Sequence, residues 1–110
     1  MPSNIENLID QIEDWGVARN ITEDGGATSK SQMHKCMEEL IEWFEADALV
    51  PYFVEAIEDK IDAFGDMLVC LIQAMRLSDV TMEECLRHAW EQIKDRKGTM
   101  MNGKFVKELE

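Results

Sequence analysis

A chain of 110 residues has room for one domain and one modest core. With 45% apolar and 31% charged residues it belongs among folded rather than disordered proteins. Its 23 Asp and Glu against 11 Lys and Arg leave a formal charge of −12, which argues against a general nucleic-acid or anionic-membrane surface. A small phosphorylated ligand stays compatible with that charge if a divalent cation screens the carboxylates.

The opening "MPSNIENLID" has neither a basic start nor an apolar run, so no export signal is expected and the cytoplasm is the expected location. The longest apolar stretch, "MLVCLI" at 67–72, is too short to span a bilayer. Cys36, Cys70 and Cys85 are odd in number, lack CxxC spacing and sit within apolar patterns, as reduced, buried thiols do.

In chain order, the first helix is expected over about 4–19 from an N-cap at Asn4, with Ile5, Leu8, Ile12 and Trp15 on one face. "NITEDGGATSKS" then reads as a loop. Ser29 and Gln32 form a capping box for a second helix over about 30–47, carrying Met33, Cys36, Met37, Leu40 and Phe44 inward. Beyond Pro51 a third helix over about 53–77 places Ile57, Ile61, Phe64, Leu68, Leu71 and Met75 at alternating steps of four and three, a bundle seam. Residues 67–72 are apolar on every face, and such a segment requires burial all round; a chain this short is expected to achieve that by self-association. Thr81 and Glu84 cap a fourth helix over about 82–96, and Asn102-Gly103 turns a hairpin over about 98–107. The expected architecture is therefore a single all-α domain over 1–110, a four-helix bundle completed by oligomerisation, with a short C-terminal β-hairpin.

Chemistry concentrates on two helices. At about 100° per residue, Glu38, Glu42 and Glu45 share an arc of about 60°, with Glu39 about 60° beyond Glu42. On the third helix Glu55, Asp59, Asp62 and Asp66 share a similar arc opposite the apolar seam. Asp66 enters the apolar half of its helix, where a lone ionised carboxylate is costly unless paired or metal-bound. No basic stripe answers these acids; Lys35 and Lys60 are the only cations nearby in sequence. Mg²⁺, with Mn²⁺ as its substitute, fits such a set, being a hard ion bound by carboxylates, water and substrate phosphates.

"EELIE" at 38–42 followed by "DKIDAFGDMLV" at 59–69 resembles the paired acidic motifs of the all-α MazG-like nucleotide pyrophosphohydrolases. The resemblance covers about 30–107 and includes the tail "IKDRKGTMMNGKFVKE". It implies Mg²⁺-dependent conversion of a nucleoside triphosphate, with deoxynucleotide pool cleaning as the setting, to the monophosphate and pyrophosphate by a cytoplasmic homodimer or homotetramer. Glu39 and Glu42 match the ExxE pair and Asp66 the last residue of ExxD. The acid usual three residues before that Asp is here Ala63, which leaves Asp59 and Asp62 as alternative ligands. Glu38, beside the ligand pair, is a candidate with Glu39 to orient the attacking water. Lys94, Arg96, Lys97 and Lys107, with Lys104, crowd the last 17 residues and match the region where the family binds phosphates. Lys35 is a further phosphate candidate, and Trp15, Arg19, Asn20 and Gln32 are candidates for the base pocket.

Other readings fit less well. "NITEDGGATSKS" has Gly at the sixth position of a calcium loop but Ser31, not Glu, at the twelfth. His34 and His88 lack the preceding Glu of a di-iron bundle. The non-enzymatic alternative is an acidic helical dimer that binds a basic protein partner.

Overall fold

The computed structural model describes residues 3–108. Its elements are α1 (Asn4–Ala18), α2 (Ser29–Leu49), α3 (Ala56–Leu77), α4 (Met82–Ile93), β1 (Gly98–Met101) and β2 (Lys104–Lys107). The chain divides into two compact units, Met1–Val80 and Thr81–Glu110. The mainly helical architecture with a terminal hairpin is as expected. No helix among the described residues is long and apolar enough to cross a membrane.

The first and fourth helices start where expected, at Asn4 and Met82, but the caps of the first two helices are other residues than expected. Ser3, not Asn4, caps α1: its Oγ accepts from the Glu6 N–H at 3.1 Å, and Glu6 Oε2 accepts from the Ser3 N–H at 2.8 Å. Thr28 caps α2 with Ser31 as its reciprocal partner, so the capping box is not Ser29 with Gln32. Ser29, already inside the helix, donates its hydroxyl to the Ala74 carbonyl at 2.9 Å. The expected third helix begins three residues late, at Ala56, because 53–55 are spent on turns after Pro51.

In the first unit, α2 and α3 run antiparallel: Ser29 meets Ala74, Cys36 Sγ lies 3.9 Å from the Met67 carbonyl, and Lys60 pairs with Asp47 at 2.8 Å. Small side chains make this close approach. Ala46, Ala56, Ala63, Cys70 and Ala74 are buried, with Ile72, Gln73 and Glu39. Trp43 packs into the same contact against Phe44 and Phe64, with Lys60 Nζ 5.0 Å from its ring.

The expected inward faces are largely outward. Met33, Met37, Leu40 and Phe44 on α2 are exposed, as are Ile57, Ile61, Phe64 and Leu68 on α3. Ile5, Leu8 and Trp15 of α1 are exposed as well. The reason is geometric: α2 and α3 meet through their small residues, which turns the larger apolar rows to the outside.

A buried amide holds α1. Gln73, with no exposed surface, donates from Nε2 to the Ile12 carbonyl at 2.7 Å and accepts from Arg76 Nε at 3.0 Å. The Arg76 guanidinium also donates to the Ile21 carbonyl. Gly16 leaves room for this amide, since a Cβ there would stand 2.1 Å from Gln73 Oε1.

In the second unit, the Thr81 hydroxyl caps α4 by accepting from the Glu84 N–H at 3.0 Å. α4 ends at Ile93 rather than 96, and Lys94 follows as its C-cap. β1 and β2 pair antiparallel from Gly98↔Lys107 to Met101↔Lys104. Asn102 and Gly103 take φ of 52° and 78°, the left-handed pair that a two-residue type I′ turn requires.

Candidate functional site

The carboxylate stripes of α2 and α3 face one groove. It is lined by Glu42, Glu45, Ala46 and Leu49 from α2 and by Asp59, Asp62, Ala63 and Asp66 from α3, with a volume of about 390 Å³. Helical spacing explains the set. Glu42 and Glu45 are one turn apart on one helix, and Asp59, Asp62 and Asp66 rise over two turns of the other. Buried Ala46 and Ala63 form the floor, where the helix contact begins.

Glu39 lies in the helix contact and is the buried carboxylate, 6% exposed. Its Oε2 has no hydrogen-bond partner, while Lys35 Nζ lies 3.6 Å from its Oε1. Burial pushes its pKa above the ordinary carboxylate value, and the adjacent Glu42 carboxyl and the charge of Asp66 push the same way against Lys35. Asp66 itself is exposed toward the groove, contrary to the expectation that it is the carboxylate trapped in apolar surroundings. Residues 67–72 are buried or half-buried except Leu68, and Asp66 leaves the helix on the groove side, away from them.

The remaining sites expected from sequence fall in several places. Glu38 is exposed outside the groove lining, its carboxylate 2.9 Å from Lys35 Nζ, and this pairing raises the Lys35 pKa. Trp15 and Arg19 come together, the guanidinium 5.3 Å from the ring centre. Asn20 is in the left-handed region, φ 63°, and its Oδ1 accepts from the Thr22 hydroxyl at 2.9 Å. Gln32 is half-buried in the first turns of α2. Lys94, Arg96, Lys97 and Lys107 are exposed within the second unit, where Lys94 pairs with Glu91 at 2.7 Å. Glu45, on the acidic arc of α2, belongs to the groove lining as well.

The thiols are free: Cys70 is buried, and Cys36 and Cys85 are half-buried. Burial raises the Cys70 pKa, which suits an inert core residue.

Among the described residues, no three His, Cys, Asp or Glu side chains stand close enough, as placed, to hold a metal ion. The chemistry of the groove carboxylates nonetheless fits a hard divalent cation. The donors are all carboxylate oxygens, one is a buried oxygen without a partner, and the others are exposed side chains free to change rotamer.

Compared with family models, with curated proteins and with solved structures, the chain matches none.

Proposed function

We propose that the protein is a Mg²⁺-dependent nucleoside triphosphate pyrophosphohydrolase of the MazG-like kind, releasing the monophosphate and pyrophosphate. The observation that carries the reading is the pairing of a buried, half-unpartnered Glu39 with a groove walled by Glu42, Asp59, Asp62 and Asp66. Supporting it is the resemblance of "EELIE" and "DKIDAFGDMLV" to the two acidic motifs of that family, with Ala63 in place of one acid.

Glu39, Glu42 and Asp66 are the proposed ligands, with Asp59 or Asp62 in place of the acid that Ala63 does not supply. Held there, the ion would supply Lewis-acid polarisation of the phosphoryl oxygens and would offset the repulsion between carboxylates and a triphosphate. The chain's own residues then position. A carboxylate oxygen of Glu39, or Glu38 once released from Lys35, accepts a hydrogen bond from the attacking water and aims it at the α-phosphorus. Lys35, freed in turn, is the cation nearest the cluster able to donate to a phosphate oxygen. Lys94, Arg96, Lys97 and Lys107 are, on the family resemblance, the other phosphate-binding residues. Trp15 and Arg19 stack already and are the proposed base-contacting pair, with Asn20 and Gln32 as hydrogen-bonding groups.

The bundle is proposed to be completed by oligomerisation, as a homodimer or homotetramer acting in the cytoplasm, and deoxynucleotide pool cleaning is the proposed setting. The alternative of an acidic dimer that binds a basic protein is disfavoured by Glu39, because a docking face has no use for a carboxylate sunk between helices.

The test is a panel of canonical and modified nucleotides with Mg²⁺, scoring monophosphate and pyrophosphate. Glu42→Gln and Asp66→Asn are expected to abolish turnover with helix content intact. Release of inorganic phosphate instead of pyrophosphate would refute the assigned bond, and turnover retained in either variant would remove that residue from the site.

A further inference from the structure

The face of α3 that walls the acidic groove continues past Asp66. At about 100° per residue, Gln73 falls inside the arc of Asp59, Asp62 and Asp66, and Arg76 lies about 60° round the helix from Gln73. α3 runs from Ala56 to Leu77, so these two residues stand about 10 Å and about 15 Å beyond Asp66 along its axis. What they hold there is α1. The Gln73 amide donates to the Ile12 carbonyl at 2.7 Å. Arg76 donates from Nε to Gln73 Oε1 at 3.0 Å, and its guanidinium donates also to the Ile21 carbonyl. Trp15 and Arg19, with the guanidinium 5.3 Å from the ring centre, lie in the chain between those two carbonyls.

We propose that Gln73 and Arg76 are positioning residues for base recognition. By pinning residues 12–21 at both ends, they hold the Trp15–Arg19 pair where the groove face of α3 ends. The inference rests on the reading of that pair as base-contacting.

Three observations carry it. The first is directionality: an apolar contact lets helices slide or turn against each other, whereas a hydrogen bond to a single carbonyl sets register and rotation together. The second is that the pin has no second position. Gln73 has no exposed surface, both ends of its amide are engaged, and Gly16 admits it where a Cβ would stand 2.1 Å from Oε1. A buried amide that lets go finds no water to replace its partners. The third is that one helix does both tasks. Asp66, a proposed ligand, and the two anchors share α3, so the separation of the phosphate end from the base end is set by helix rise and is of the order of a nucleotide's own length. Neither anchor is assigned a contact with phosphate or metal, so their loss is expected to fall on base affinity alone.

The test adds the common deoxynucleosides, without phosphate or metal, to the full-length protein and follows its tryptophan indoles by NMR, with Trp15→Phe identifying the Trp15 line. The wild type is expected to bind at least one of them with a shift of that line. Gln73→Met keeps the side chain's length but loses both hydrogen bonds. This variant and Arg76→Met are expected to bind about ten-fold more weakly, as when the competent placement of the pair falls to about a tenth of the population. Arg76→Lys, which keeps the charge, is expected to lie between Arg76→Met and the wild type, and it decides the matter if Gln73→Met does not fold. The Trp43 line, which reports the α2–α3 contact, is expected to stay in place throughout. A wild type that binds no deoxynucleoside at Trp15 overturns the proposal, as does unweakened binding in the variants. A Trp43 line displaced together with that of Trp15 also overturns it, because the two residues would then act on the whole fold. Pyrophosphate release from nucleotides alongside unweakened nucleoside binding would leave the hydrolase assignment standing and remove only the positioning role.

Discussion

Lys35 Nζ stands 3.6 Å from Glu39 Oε1 and 2.9 Å from Glu38 Oε2, while the second oxygen of Glu39 is buried without a partner. One ammonium thus serves two carboxylates, and the buried one receives the longer contact. The carboxylate cluster is undercompensated, and the proposed cation site rests on this.

If Lys35 holds a place that the cation takes over, removing it strengthens cation binding. Lys35→Ala is expected to bind Mg²⁺ or Mn²⁺ a few-fold more tightly by calorimetric titration, because a like charge leaves the ion's surroundings. Unchanged or weaker binding would show that Lys35 does not compete for Glu39.

The raised pKa of Glu39 makes the metal-free protein sensitive to pH. Between the ordinary carboxylate pKa and the raised folded value, the native state keeps a proton that the unfolded chain has released. Stability is therefore greatest below that window and falls as pH rises through it. Glu42 and Lys35 on α2 and Asp66 on α3 face the group and set the width of the window. Glu39→Gln is expected to flatten this part of the profile and to raise the melting temperature at neutral pH by a few degrees. Saturating Mg²⁺ is expected to flatten the wild-type profile likewise. Denaturation midpoints across the weakly acidic range measure both; an unaltered slope in Glu39→Gln would assign the effect to another carboxyl.

Gly16→Ala tests how α1 is held. The added methyl would meet Gln73 Oε1 at 2.1 Å, and Gln73 cannot swing aside without leaving Ile12 and Arg76. A loss of about 1–3 kcal/mol is expected, as for overpacking elsewhere. The double variant Gly16→Ala, Gln73→Ala is expected to lose less than the sum of the singles, because the second change removes the group the methyl strikes. Strict additivity in urea denaturation would place the strain elsewhere.

Ala63→Glu supplies the acid spacing of the family proposed from the resemblance, yet Ala63 is 3% exposed at the floor of the groove. The longer side chain must push α2 from α3 or bring an ionised carboxylate into the contact beside Glu39. A destabilisation of about 2–4 kcal/mol without metal is expected, partly recovered with Mg²⁺. A neutral effect in thermal melts would mean that this part of the groove is looser than the burial of Ala63 requires.

Much of this molecule was legible in its residues. The helical periods, the Thr81 cap and the Asn102-Gly103 hairpin are local properties, decided by neighbours within a few positions. So is the sharing of one arc by Asp59, Asp62 and Asp66, since helix geometry alone dictates it. What periodicity does not carry is which face of a helix meets its neighbour. The apolar rows of α2 and α3 promised an inward seam, but the two helices close on Ala46, Ala56, Ala63 and Cys70, where small side chains let the backbones approach. That choice alone buries Glu39 instead of Asp66, opens the groove between the acidic stripes and leaves Ile61 and Phe64 facing outward. Burial and the electrostatic stress on Glu39 are sums over contacts distant in sequence, so tertiary packing decided them.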